Sequence, residues 1–148
     1  IAGYNFGAGQ HARVIKTLKL TIIYATCVTT FGFIVGMLFS DWVVSIFTSD
    51  AELIALSAKG LRIVVMFFPI IGFQMVAANF FQSIGMASKA IFLSLTRQMM
   101  VLLPCLIILP RFFGVAGVWY SMPISDLLAS LIAGTMLVWQ LRKFKAQA

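Results

Sequence analysis

Four long apolar runs decide what this chain can become. They are LTIIYATCVTTFGFIVGMLF (residues 20–39), IVVMFFPIIGFQMVAANFFQSI (63–84), AIFLSLTRQMMVLLPCLIILP (90–110) and VAGVWYSMPISDLLASLIAGTMLVWQL (115–141). A helix needs about 20 such residues to cross the ~30 Å hydrocarbon core of a bilayer, and each run supplies that length. Lipid offers backbone N–H and C=O groups no water, so each run must close its hydrogen bonds internally as a helix. The expected fold is therefore an all-α integral membrane protein with four transmembrane helices. Composition agrees, since 61% of the 148 residues are hydrophobic and 10% charged, against about 45–50% and about 25% in soluble domains. A chain this small cannot hide that excess in a core of its own.

Between the first two runs, residues 40–60 read as a short interfacial helix around Trp42 to Phe47 and a turn at Thr48 to Asp50. The other two links, GMASK and RFFG, are short enough to make their flanking spans antiparallel hairpins. Four spans return the chain to the side on which it began. Arg13, Lys16 and Lys19 precede the first span and Arg142, Lys143 and Lys145 follow the last, so the positive-inside rule places both ends in the cytoplasm. Asp41, Asp50 and Glu52 then fall in the outer loop. The eleven Lys and Arg report this topology, not a nucleic-acid surface, which would gather them into one stripe.

Pro69, Pro104 and Pro123 each lie inside a span, where each removes a backbone hydrogen bond and bends the helix. Gly32 and Gly36 form a GxxxG that permits close helix contact. Cys27 and Cys105 sit in apolar runs without a CxxC or Cys/His spacing and read as membrane-facing or packing residues. His11, the single histidine, reads as a solvated residue flanking the first span. No GxSxG, Walker, HExxH or paired-carboxylate arrangement occurs. Nothing in the sequence points to an enzyme, a cofactor or a bound metal.

Two ionisable side chains remain inside the runs, Arg97 and Asp126. Each costs a few kcal/mol in lipid unless paired or hydrated. With a rise of about 1.5 Å per residue, Arg97 lies roughly 10 Å and Asp126 roughly 14 Å above the same membrane edge. The levels agree within a turn, so a pair across the hairpin is expected, direct or through Gln98 or a water. It can be a fixed bridge that orients two helices, or a switch whose carboxylate exchanges a proton or cation; Arg97 could instead snorkel to the headgroups. On the second span, Gln74, Ala78, Asn79, Gln82, Gly72 and Ser83 share one half of the helical wheel, and Val76, Phe80, Phe73, Ile84, Ile70 and Phe81 the other. The polar half fits a helix seam or the wall of a water-accessible cavity. Eight Met and fourteen Phe could pack, face lipid or line an adaptable pocket.

The stretch GYNFGAGQHARVIKTLKL resembles the segment that follows the eighth transmembrane helix of multidrug and toxic compound extrusion (MATE) transporters. FPIIGFQMVAANFFQSIGMASKA, LSLTRQMMVLLP and GVWYSMPISDLLA are similar to the tenth, eleventh and twelfth helices of that family, in order. The resemblance implies that residues 1–10 are the tail of helix eight and that the spans are helices nine to twelve. The chain would then be a piece of a longer protein, most of its C-terminal lobe, with the N-terminal lobe as its missing partner. It also implies a multi-pass protein of a bacterial inner membrane that exports organic cations by antiport with protons or sodium, through alternating access of two lobes. Gln74, Asn79, Gln82, Arg97, Gln98 and Asp126 are the pathway candidates. The tenth-helix match holds no acid, which argues against a sodium site of the kind some members build there. A lipid-linked oligosaccharide flippase of the same superfamily and a non-transporting membrane scaffold subunit are the alternatives.

Overall fold

The computed structural model describes the backbone of residues 1–146 and the side chains up to residue 144. Of the basic residues expected beyond the last span, the Lys145 side chain lies outside that range. The elements are α1 (Ala2–Gly7), α2 (His11–Leu38), α3 (Ser40–Ser45), α4 (Ala51–Val65), α5 (Phe68–Ser83), α6 (Ala87–Leu95), a π-helical segment Thr96–Leu102, α7 (Leu103–Phe113) and α8 (Val115–Ala146). There is no strand among the described residues. Three stretches are long and apolar enough to cross a membrane unbroken: α2, the continuous run Ala87–Phe113, and α8 up to Phe144. A fourth span is the pair α4 and α5, bent by 49° at its break.

That break corrects the reading of the second span. The sequence reading starts this span at residue 63 and leaves residues 51–62 to the outer loop, yet they form most of α4. The Asp50 carboxylate accepts from the N–H groups of Glu52 and Leu53 as its N-cap. Lys59 and Arg62 interrupt the apolar run and so shorten the span read from sequence. The bend falls at Met66 and Phe67, directly before Pro69 near the start of α5. A proline has no N–H to give and its ring crowds the carbonyl four residues back, here that of Val65. The GxxxG of α2 seats against this bend: a Cβ on Gly36 would lie 2.9 Å from the Val65 side chain, and one on Gly32 would lie 3.6 Å from Phe68.

The other prolines are absorbed differently. Pro104 follows the π-helical segment, whose wider turn accommodates the lost bond without ending the span. Around Pro123, α8 runs on as one helix, and the flanking hydroxyls of Ser121 and Ser125 donate to the carbonyls of Gly117 and Met122. The α7–α8 turn is made by Gly114 alone, at φ 57° and ψ −139°, which a side chain would strain. Three residues on, Gly117 lets the helices close until a Cβ would collide with the Leu109 backbone.

α8 is the central helix, the most enclosed of the spans. Ala133, Leu137 and Phe144 pack from it into a core shared with Val14 and Leu18 of α2, Phe80 and Phe81 of α5, and Leu93 of α6. His11 is not solvated as expected: its ring stacks on Phe144 at 5.1 Å between centroids and meets Phe6 edge-on. α2 begins nine residues before the apolar run, because a helix does not stop where lipid does. Outside the bundle, Ile23, Tyr24, Val28 and Phe31 of α2 are exposed, as lipid-facing side chains must be. Both cysteines are free.

Candidate substrate and ion pathway

The π-helical segment carries Arg97 toward α8. Arg97 Nε donates to Asp126 Oδ1 at 2.7 Å, directly and not through Gln98. The Asp126 side chain is 4% exposed and that of Arg97 30%, so the carboxylate is enclosed while the guanidinium reaches an opening. Two causes bring them together. α6, the π segment and α7 run antiparallel to α8 through the Gly114 turn, and Ser125, Asp126, Ala129 and Ser130 lie on the inward stripe of α8 at helical spacing. π insertions commonly mark functional positions in helices, since they re-aim a side chain at the cost of regular bonding.

Arg97 opens onto a cleft of about 250 Å³ lined by Gln74, Met75, Asn79, Leu93, Ser94 and Gln98, among others. Four of the six residues singled out from sequence, Gln74, Asn79, Arg97 and Gln98, thus share one cleft, and Asp126 sits behind it bonded to Arg97. Gln74 is 6% exposed and its Oε1 is buried without a hydrogen-bond partner among the described residues. Gln82 does not join the cleft; it is exposed near the end of α5. A second cleft, of about 370 Å³, adjoins through Asn79 and is lined also by Thr17, Thr21 and Ser83.

Around these clefts the outer face of α5 is polar toward its C-terminal end and points away from the bundle. Asn79, Gln82 and Ser83 of α5 are exposed, whereas Phe80, Phe81 and Ile84 of the bulky half are buried. Thr17, Thr21 and Ser94 do not stand out in the sequence, because serines and threonines recur throughout the spans and only the fold sets these near Asn79. No group of three or more His, Cys, Asp or Glu that could hold a metal occurs among the described residues.

A family model described as MatE matches residues 1–108 of the 148. The chain belongs to the MATE family. Among solved structures, the MATE multidrug transporter DinF-BH, in a ligand complex, is 37% identical, with a TM-score of 0.87, over 92% of this chain and 30% of its own. An outward-facing multidrug resistance MATE transporter of the MOP superfamily gives a TM-score of 0.89 at 21% identity, over 98% of this chain and 33% of that one. An inward-facing one gives 0.90 at 20%, over 99% and 34%. At those identities the last two speak for the fold alone. No curated protein sequence matches. This MATE chain spans about a third of the length of the solved transporters it matches.

Proposed function

We propose that the chain is the C-terminal-lobe segment, helices nine to twelve, of a secondary multidrug efflux transporter that exports organic cations by antiport with protons or sodium. One observation carries this reading. A multi-pass membrane bundle presents Asn79, Gln82 and Ser83 outward, and polar groups do not face lipid without cost. That wall fits water and a facing N-terminal lobe, with the substrate between them. DinF-BH, a multidrug transporter solved with its ligand bound, supplies the precedent for a drug-like substrate.

The Arg97–Asp126 pair fits the coupling element. A proton on Asp126, or a sodium ion at its oxygens, would release Arg97 into the cleft that holds Gln74, Asn79 and Gln98. That exchange gives two discrete arrangements whose populations an ion gradient can shift. The segment matches an outward-facing and an inward-facing transporter about equally well, which supports a lobe that rocks as a unit about a mid-membrane cavity. With both ends of the segment cytoplasmic in an inner membrane, the basic flanks of α2 and α8 satisfy the positive-inside rule.

The test is export of a fluorescent cationic dye by the full-length protein in everted vesicles, with proton and sodium gradients imposed separately. Dye movement driven by one gradient establishes antiport and chooses the ion. No movement under either gradient, together with translocation of a lipid-linked sugar, would replace this reading with the flippase. Neither activity in well-folded protein would leave the scaffold.

A further inference from the structure

At the basic end of the bundle two lysines flank one indole. Lys89 Nζ donates to Gln140 Oε1 at 2.7 Å and lies 4.9 Å from the centre of the Trp139 ring. Lys143 Nζ lies 3.7 Å from the same ring. Beside them opens a cavity of about 320 Å³ lined by Lys89, Thr135, Met136 and Trp139. Cations over an aromatic face are attracted by its quadrupole, but Gln140 is neutral and an indole carries no charge. Two ammonium groups are thus held near each other with nothing among the described residues to neutralise them.

The acidic side chains of the chain cannot do so. They are Asp41, Asp50, Glu52 and Asp126. Asp41 is paired with Arg62 and Asp126 with Arg97. Asp50 caps α4, and Glu52 is in that helix's first turn, at the opposite end of the bundle from Lys89 and Lys143. An external anion fits the gap, and the position states which. Lys89 is in the first turn of one span and Lys143 at the end of another, the level of the lipid headgroups. Tryptophan is enriched at that level because its ring is apolar and its N–H polar. The cavity next to the charges is walled by Met136 and the Trp139 ring, which suits an acyl chain.

We propose that Lys89, Lys143 and Trp139 form a binding site for one anionic phospholipid, its phosphate held by the two ammonium groups beside the Trp139 ring and its upper acyl chain in the Met136 cavity. Basic pockets between membrane helices favour anionic headgroups in this way. The site lies away from the Arg97–Asp126 cleft and does not depend on the transport reading.

Native mass spectrometry of the full-length protein tests it. The purified protein is titrated with phosphatidylglycerol or with phosphatidylcholine of the same acyl chains. One phosphatidylglycerol should be retained in preference to phosphatidylcholine, and Lys89→Gln with Lys143→Gln should reduce that retention by about thirtyfold while leaving phosphatidylcholine adducts unchanged. Lys16→Gln with Lys19→Gln removes two charges from the same end of the bundle and should leave the preference intact. Equal retention of the two lipids would overturn the site, as an acid elsewhere in the protein would then be satisfying the lysines. An equal loss in the Lys16/Lys19 variant would reduce it to diffuse attraction. Displacement of the lipid by millimolar inorganic phosphate would assign the pocket to free phosphate instead.

Discussion

Two arginine–aspartate pairs sit at two levels of this bundle. Arg62 Nη2 meets Asp41 Oδ2 at 2.5 Å across α3 and α4, with the two side chains 45% and 61% exposed; Arg97 meets Asp126 at 2.7 Å with Asp126 almost wholly enclosed. The contacts are alike and their surroundings are not. At the rim, water screens both charges, so the ion pair itself is weak and Asp41 can be lost at small cost, while Arg62 Nε also donates to the buried Ser40 hydroxyl at 2.6 Å. Between the π segment and α8, each charge is tolerable only because of the other. The same two residue types therefore act as a surface contact in one place and as an obligate couple in the other.

The widest separation between the pairs should come from removing one arginine. Arg97→Ala leaves the Asp126 carboxylate enclosed and unpaired, and should destabilise the full-length protein in detergent by about 3–5 kcal/mol; a melting curve with unchanged midpoint would show the carboxylate already satisfied elsewhere. Next in size is Gly117→Val. Its side chain would meet the backbone of Leu109 and Pro110, forcing α7 from α8 and loosening the frame of the inner pair, at about 1–3 kcal/mol. The outer pair, on α3 and α4, should not feel it.

A smaller effect has the opposite sign. Gln74→Leu removes the buried Oε1 that has no partner among the described residues and should raise stability by about 1 kcal/mol, while export by the intact transporter falls. If stability drops instead, the amide is bonded within the full-length protein. Smallest of all, Asp41→Ala, which leaves Arg62 Nε bonded to the Ser40 hydroxyl, should cost about 0.2–1 kcal/mol, and added salt at about 1 M should erase the difference. A loss that survives salt would place the outer pair in the same class as the inner one.

Much of this contrast is legible in the sequence. Apolar runs reveal membrane spans because lipid forbids alternatives, and a short hairpin at about 1.5 Å per residue puts Arg97 and Asp126 level. The half-wheel of α5 separates Asn79 and Gln82 from Phe80 and Phe81, though it cannot say that Gln82 stands outside the cleft. Other features depend on distant parts of the chain. His11 is packed by Phe144, and nothing near His11 announces that. α4 hides because Lys59 and Arg62 read as loop charges, while the N-cap at Asp50 and the break before Pro69 define it. The π segment has no sequence signature beyond Pro104 following it, and the Lys89–Trp139–Lys143 cluster joins residues of two spans.

The most direct measurement compares Asp126→Asn with Asp41→Asn in the full-length protein, at equal expression, for gradient-driven dye export from everted vesicles. Asparagine keeps the size of each side chain and removes its charge. The expected result is loss of gradient-dependent export with Asp126→Asn and near wild-type export with Asp41→Asn. Undiminished export by Asp126→Asn would contradict a coupling role for the inner pair and leave it a fixed bridge between two helices.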